Sequence, residues 1–223
     1  MLINGEDRRR VNPAQKAVDL LDRLEQLYPD AHCALVHRDA WQLLVATVLS
    51  AQCTDARVNM VTPALFARFP DPKALAGAEL AEVEDMIRST GFFRNKAKNL
   101  VACARTIVEE HAGEVPKRLE QLVALPGVGR KTANVVLGNA WGVPGMVVDT
   151  HVKRLSFRFG WTKATDPDRI ERDLCRLLPS ERWVQAGHTL IAHGRALCRA
   201  PVPLCSQCPL TDICPRRGVK KSR

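Results

Sequence analysis

The sequence has no run of about 18 uninterrupted apolar residues, so no membrane-spanning helix is expected and no membrane partner. No apolar stretch follows a basic start at the N-terminus, so no secretory signal is expected. The protein is accordingly read as cytoplasmic, and as nucleoid-associated if bacterial. Alternation of apolar and polar residues at period two is lacking, which leaves an all-α fold. There is no internal repeat and no low-complexity segment, which excludes a repeat array. Paired Cys-x-x-Cys knuckles, the common zinc signature, are missing too: the one such pair is Cys205 and Cys208.

What is present is a chain of 223 residues with 46% hydrophobic content, enough for one large or two small domains around a real core. Its 33 Lys and Arg against 24 Asp and Glu leave a net charge of +9. That excess favours a polyanionic partner, and nucleic acid is the usual one; the plain alternative is a basic protein without such a partner. In a reducing compartment eight cysteines point to metal rather than to disulfides. Cys33, Cys53, Cys103 and Cys175 are scattered and read as ordinary thiols, whereas the other four crowd the C-terminal end.

In chain order, Arg8, Arg9 and Arg10 begin a polar arm, and Asn12-Pro13 reads as a helix cap followed by its first residue. Ala17, Leu20, Leu21, Leu24, Leu27 and Tyr28 give that helix an apolar face, and Pro29 stops it. A second helix follows Asp39, with Trp41, Leu44, Val45, Val48 and Leu49 inward. It ends in the polar break Ser50 to Asp55, where Thr54 or Asp55 caps the next helix. Further helices are expected near 56–68, 79–89, 94–112, 150–159, 167–178 and 182–196.

Between 113 and 142 the chain forms its most informative stretch, Leu125-Pro126-Gly127-Val128-Gly129-Arg130-Lys131-Thr132-Ala133. An incoming helix carries Leu119, Leu122 and Val123 on one face, and an outgoing one carries Ala133, Val136, Leu137 and Ala140. Pro126 cannot continue the first helix, while Gly127 and Gly129 permit positive φ and leave the backbone uncovered. Bare amides at the start of a helix form a donor surface that suits a phosphate oxygen. At the C-terminal end, Cys198, Cys205, Cys208 and Cys214 are separated by six, two and five residues. Four thiolates so close together suit zinc or an iron–sulfur cluster.

The hairpin, the Ser50-Ala51-Gln52-Cys53-Thr54-Asp55 segment, the Gly91-Phe92-Phe93-Arg94-Asn95-Lys96-Ala97 loop and the 6-2-5 cysteine spacing together resemble the endonuclease III family of DNA-repair glycosylases. The resemblance runs from the first helix to Cys214 and leaves out 1–12 and 215–223. It implies two helical lobes: a six-helix barrel with the helix-hairpin-helix over 33–143, and a cluster lobe joining the helix of 1–32 to 144–223. It implies a 4Fe-4S cluster on Cys198, Cys205, Cys208 and Cys214, with a structural role, since four protein thiolates leave no iron open. It implies a monomer acting on damaged double-stranded DNA, excising oxidised or ring-saturated pyrimidines and nicking the abasic site by β-elimination.

By the same resemblance Lys131 is the nucleophile at the sugar C1′ and Asp149 its carboxylate partner. The amine must first lose its proton, which a helix N-terminus and basic surroundings favour. Leu125, Gly127, Gly129 and Arg130 belong to the DNA-binding hairpin. Gln52 fills the space left by a flipped nucleotide, and Phe92 stands where the family often has a leucine wedge. The plainer readings are a surface lysine for Lys131, a helix cap for Asp149, a loop residue for Gln52 and a core residue for Phe92.

One departure is the loop Arg199 to Leu204, with a single charge where the family is basic; Arg195, Arg216, Arg217, Lys220 and Lys221 either compensate or form a solvated tail. Three other functions stay open. An adenine glycosylase lacks the lysine and usually extends further beyond the cysteines. A helix-hairpin-helix module without activity would only bind DNA, and a zinc-stabilised structural protein would be colourless.

Overall fold

The computed structural model describes residues 12–223; the Arg8–Arg10 arm lies outside them. The described residues form helices joined by turns and no strand, as expected, in two compact units. One is 12–31 together with Val148–Arg223, and the other is His32–Val147. The terminal unit opens with α1 (Pro13–Leu27). The internal unit holds α2 (Ala40–Leu49), α3 (Asp55–Arg68), α4 (Pro72–Ala76), α5 (Leu80–Ile87), α6 (Phe93–Glu110), α7 (Leu119–Ala124) and α8 (Arg130–Trp141). The terminal unit resumes with α9 (Thr150–Arg158), α10 (Pro167–Leu177) and α11 (Trp183–Ala196). Among the described residues no helix is long and apolar enough to cross a membrane.

The internal unit is built round α2. Asp39 caps it by accepting from the Gln42 amide at 2.8 Å, and every residue from Trp41 to Leu49 is buried. The sequence periodicity gave it one inward face; a helix apolar on all sides sits instead in the middle of its unit. It packs against α3, α6 and α8. Burying each of Leu43, Leu44 and Leu49 contributes roughly 1.5–3 kcal/mol. Thr54 caps α3 at 3.3 Å from the Arg57 amide. The short helix α4 was not expected, although Asp71 and Pro72 start it as Asn12 and Pro13 start α1. The segment after α8 stays with this unit: Met146 is buried, its carbonyl accepts from Asn134 at 3.4 Å, and Gly145 lies against the same side chain.

The terminal unit joins both ends of the chain. Ala17, Leu20, Leu21 and Leu24 are the buried face of α1, which packs on α10 and α11. Leu27, assigned to that face by periodicity, is 39% exposed because it sits in the fraying last turn. Arg182 pairs with Asp22 and Glu25 at 2.7 Å each, and Arg23 donates to Asp212 at 2.7 Å and to the Pro209 carbonyl at 2.9 Å. The last residues fold back onto this unit: the Arg217 amide donates to the Arg158 carbonyl, and the Ser206 amide to that of Arg223.

Candidate functional site

The hairpin between α7 and α8 is a turn followed at once by a helix start. The Val128 amide donates to the Leu125 carbonyl at 3.1 Å, with Pro126 and Gly127 between. Proline second and a glycine at φ +76° third are the signature of a type II turn. A Cβ on Gly127 would lie 2.7 Å from the Asn99 Cβ, so glycine is required there twice over. Gly129 differs from the sequence expectation. Its φ is −89°, which any residue adopts, and nothing lies within 4 Å of a Cβ built on it. Its role is openness: it is the N-cap of α8 and offers no side chain to the first amides. Those amides cannot be paired within the helix and point outward with the positive end of its dipole.

Leu125 and Val128 are buried and anchor the turn, while Arg130 and Lys131 in the first turn of α8 are exposed. On the incoming side Leu122 is fully buried but Val123 is 41% exposed, since six residues of α7 cover only a narrow stripe.

Three exposed non-glycine residues of the same unit have left-handed backbones: Gln52, Phe92 and, in the turn that ends α6, Ala112. The Cys53 amide donates to the Ser50 carbonyl at 3.0 Å, closing a turn whose third residue is Gln52 at φ +53°. Phe92, at φ +48° and ψ 28°, is the left-handed N-cap of α6 and is 64% exposed, so it is no core residue. A left-handed non-glycine residue costs about 1–2 kcal/mol. Ala112 shows that such a residue can serve only to end a helix; Gln52 and Phe92 differ in holding an amide and an aromatic ring out on exposed loops.

Between these loops lies a residue the sequence reading passed over. Lys96 is 5% exposed, and its Nζ donates to the Leu49 carbonyl and to the Thr90 carbonyl, both at 2.8 Å. Burial pulls its pKa below the ordinary lysine value, with Cys53 acting the other way. The signal was there in part: Lys96 sits one turn before Leu100 on the apolar face of α6.

In the terminal unit Asp149 caps α9, accepting from the Val152 amide at 2.7 Å. A cap uses one carboxylate oxygen and leaves the second for other work. Beside it His151 is held below the usual histidine range, first by burial and then by Arg154 and Arg195, against the opposing pull of Asp149. Lys131 belongs to the internal unit and Asp149 to the terminal one.

Cys198, Cys205, Cys208 and Cys214 line one small cavity together with Arg158, His193 and Leu197. All eight cysteines are unbridged. Burial pushes the Cys208 and Cys214 thiols up, and the neighbouring cysteines add to the shift. A bound metal overcomes such a shift, because a coordinating thiol is deprotonated outright. Arg158 donates to the Cys198 Sγ at 3.2 Å and to the carbonyls of Cys198 and Arg199 at 3.1 and 2.9 Å. Arg154, one turn earlier on α9, donates to the same Cys198 carbonyl at 3.1 Å. Tyr28 Oη lies 3.0 Å from His193 Nδ1, and His193 Nε2 lies 3.7 Å from the Cys208 Sγ. Among the described residues no group of three or more His, Cys, Asp or Glu side chains is placed to hold a single metal ion.

Arg154, Arg158 and His193 were not singled out from the sequence, where two arginines four apart look like any solvated helix face. The weakly basic loop keeps its one arginine, Arg199, turned back onto the carbonyls of Arg195 and Ala196. Arg216 and both lysines of the tail are exposed, and Arg217 stacks on Phe157 at 5.0 Å.

The family model for HhH-GPD superfamily base excision DNA repair proteins matches residues 45–180. The endonuclease III of Synechocystis sp. is 57% identical over 209 residues, 93% of this chain and 95% of that protein. The endonuclease III of Bacillus subtilis is 46% identical over 204 residues, 91% and 93% of the two chains. A solved structure described as a trapped endonuclease III–DNA covalent intermediate superposes with a TM-score of 0.86 at 45% identity, covering 90% of this chain and 95% of that one. The chain belongs to the HhH-GPD superfamily and, within it, to the endonuclease III family. Its function is base-excision DNA repair, and its activity is that of a DNA glycosylase that also cleaves at the abasic site. The adenine-type glycosylase and the module without activity, both open from the sequence, are not favoured.

Proposed function

We propose that this enzyme excises oxidised or ring-saturated pyrimidines from duplex DNA, with Lys131 as nucleophile and Asp149 as its carboxylate partner. One observation carries the reading: an exposed lysine stands in the first turn of a helix whose uncapped N-terminus suits a backbone phosphate. The hairpin amides hold the strand beside the amine. The neutral amine attacks C1′, the glycosidic bond breaks and the base leaves with its electron pair. The sugar ring then opens to a Schiff base on Lys131. Loss of a C2′ proton expels the 3′ oxygen, which nicks the strand, and water frees the lysine.

Asp149 accepts the proton shed by the amine or stabilises positive charge on the sugar. Its cap to Val152 fixes the carboxylate on α9 for that task. Gln52 and Phe92 enter the stack when the nucleotide flips, the amide meeting the orphaned base and the ring wedging beside it. Partner and substrate are thus damaged duplex DNA, and the enzyme works as a monomer.

Cys198, Cys205, Cys208 and Cys214 would hold a 4Fe-4S cluster, for which four cysteines round one cavity are a fitting donor set. The cluster supplies cross-linking of the C-terminal segment rather than chemistry on DNA. The proposed lobes are 1–32 with 144–223 for the cluster and 33–143 for the hairpin barrel; the compact units of the fold differ at the seams, keeping His32 and 144–147 with the barrel. The test is single-turnover base release from a duplex carrying one ring-saturated thymine. The parent releases the base and Asp149→Asn does so far more slowly, while still forming some adduct on a ready-made abasic site. Release only of adenine from mispairs would overturn the substrate assignment.

A further inference from the structure

We propose that Lys96 is a positioning residue that locks the Gln52 and Phe92 loops to each other, so that both side chains enter the duplex as one unit. This rests on the reading of Gln52 and Phe92 as the inserting residues. The argument begins with the last carbonyls of α2, which a helix cannot satisfy by itself. The Thr47 carbonyl accepts from Ser50 Oγ at 2.8 Å, and that of Val48 from the Ala51 amide at 3.4 Å. The Leu49 carbonyl, three residues before Gln52, is taken by Lys96 Nζ at 2.8 Å.

The second carbonyl on that ammonium belongs to Thr90, the last residue of the 3₁₀ turn Arg88–Thr90 and two residues before Phe92. One buried ammonium therefore closes the end of α2 and the end of the 3₁₀ turn at once, and α2 turns the negative pole of its dipole toward it. Leu49 and Thr90 are 0% and 2% exposed, so both carbonyls are shielded from bulk solvent in the folded protein. The backbone amide of Lys96 also donates to the Phe92 carbonyl at 3.1 Å, fixing the left-handed residue from its other side. The Lys96 side chain is thus the common support of the two loops that carry Gln52 and Phe92. A charge-assisted bond of this kind, left unmade in the interior, changes a local equilibrium by about tenfold or more.

The test has two arms, both using Lys96→Met in the full chain. In the free protein, amide exchange of 50–54 and 89–93 should rise about tenfold or more while α1 and α11 keep the parent's protection. Exchange that rises equally everywhere, or at one loop alone, overturns the proposal. In single-turnover base release, Lys96→Met should cost about tenfold in the parent. In a Gln52→Ala, Phe92→Ala background it should cost almost nothing more, because the residues it positions are gone. The same loss in both backgrounds overturns the proposal. Lys96→Arg, which keeps the charge and the donors, should recover most of the loss. If the parent releases no base from such duplexes, the function assigned above fails, while the exchange arm still decides the positioning role. Should Lys96→Met not fold, Lys96→Gln, able to serve one of the two carbonyls, takes its place in both arms.

Discussion

The two hairpin glycines look alike in sequence and should respond in opposite ways to substitution. Gly127 sits at φ +76° with Asn99 packed under it. Alanine there pays about 1–2 kcal/mol for the left-handed backbone. Its Cβ, 2.7 Å from the Asn99 Cβ, adds the roughly 1–3 kcal/mol typical of overpacking. Gly127→Ala should therefore lose about 2–5 kcal/mol in urea unfolding, the sum of those two terms. Gly129, at φ −89° with open space around it, lets Gly129→Ile fold with a loss of about 1 kcal/mol, the cost of a poorer N-cap residue. What that isoleucine covers is the amide surface of α8. Binding to damaged and undamaged duplex should weaken alike in this variant, by about tenfold or more, since lost phosphate contacts carry no sequence or lesion information. The assay pairs a urea melt with duplex titration for each variant. Equal stability losses at the two positions, or parent-like affinity in Gly129→Ile, would refute the hairpin geometry or its phosphate role respectively.

Affinity for undamaged duplex should fall steeply with salt, each neutralised phosphate adding about 0.9 to the log–log slope; titrations between low and moderate salt check this, and a flat response contradicts a phosphate-dominated interface. Purified protein should carry about four iron and four sulfide per chain and be brown. Cys205→Ser or Cys208→Ser should reduce folded yield before it alters chemistry, whereas stoichiometric zinc without visible absorbance would remove the cluster from the account. Gln52→Gly exchanges a strained residue for one that adopts φ +53° without steric cost, which offsets its greater loss of chain entropy, so stability should stay within about 1 kcal/mol of the parent while base release falls; an unfolding curve beside a release assay separates the two effects.

The parts of this molecule legible in its sequence are those set by neighbours along the chain. Asn12 declared its cap and Thr54 or Asp55 that of α3, a helix was expected after Asp39, Pro126 and Gly127 declared their turn, and four crowded cysteines their common cavity. Contacts between distant residues were harder. Lys96 reads as a polar member of a loop motif, and only the fold brings Leu49 to it from 47 positions away. Arg158 reads as a solvated charge, yet it serves a thiol and three carbonyls some 40 positions on. The burial of α2 on every side depends on how many helices surround it, which periodicity does not encode. Gly129 shows a different limit: glycine was legible as an open position, but its ordinary φ was not, since the same residue type serves both needs. The helix α4 was passed over for its length, although Asp71-Pro72 carried the start signal used at Asn12-Pro13.

The central claim is that the amine of Lys131 joins the DNA. Borohydride added during reaction with a duplex holding one ring-saturated pyrimidine should reduce the Schiff base and leave the protein covalently attached, with the modified peptide mapping to Lys131. Lys131→Gln should keep the helical fold and the cluster colour and still bind the duplex, yet yield neither adduct nor released base. An adduct that persists in Lys131→Gln, or release at the parent's rate, would contradict the account and leave the hairpin as a device for holding phosphate.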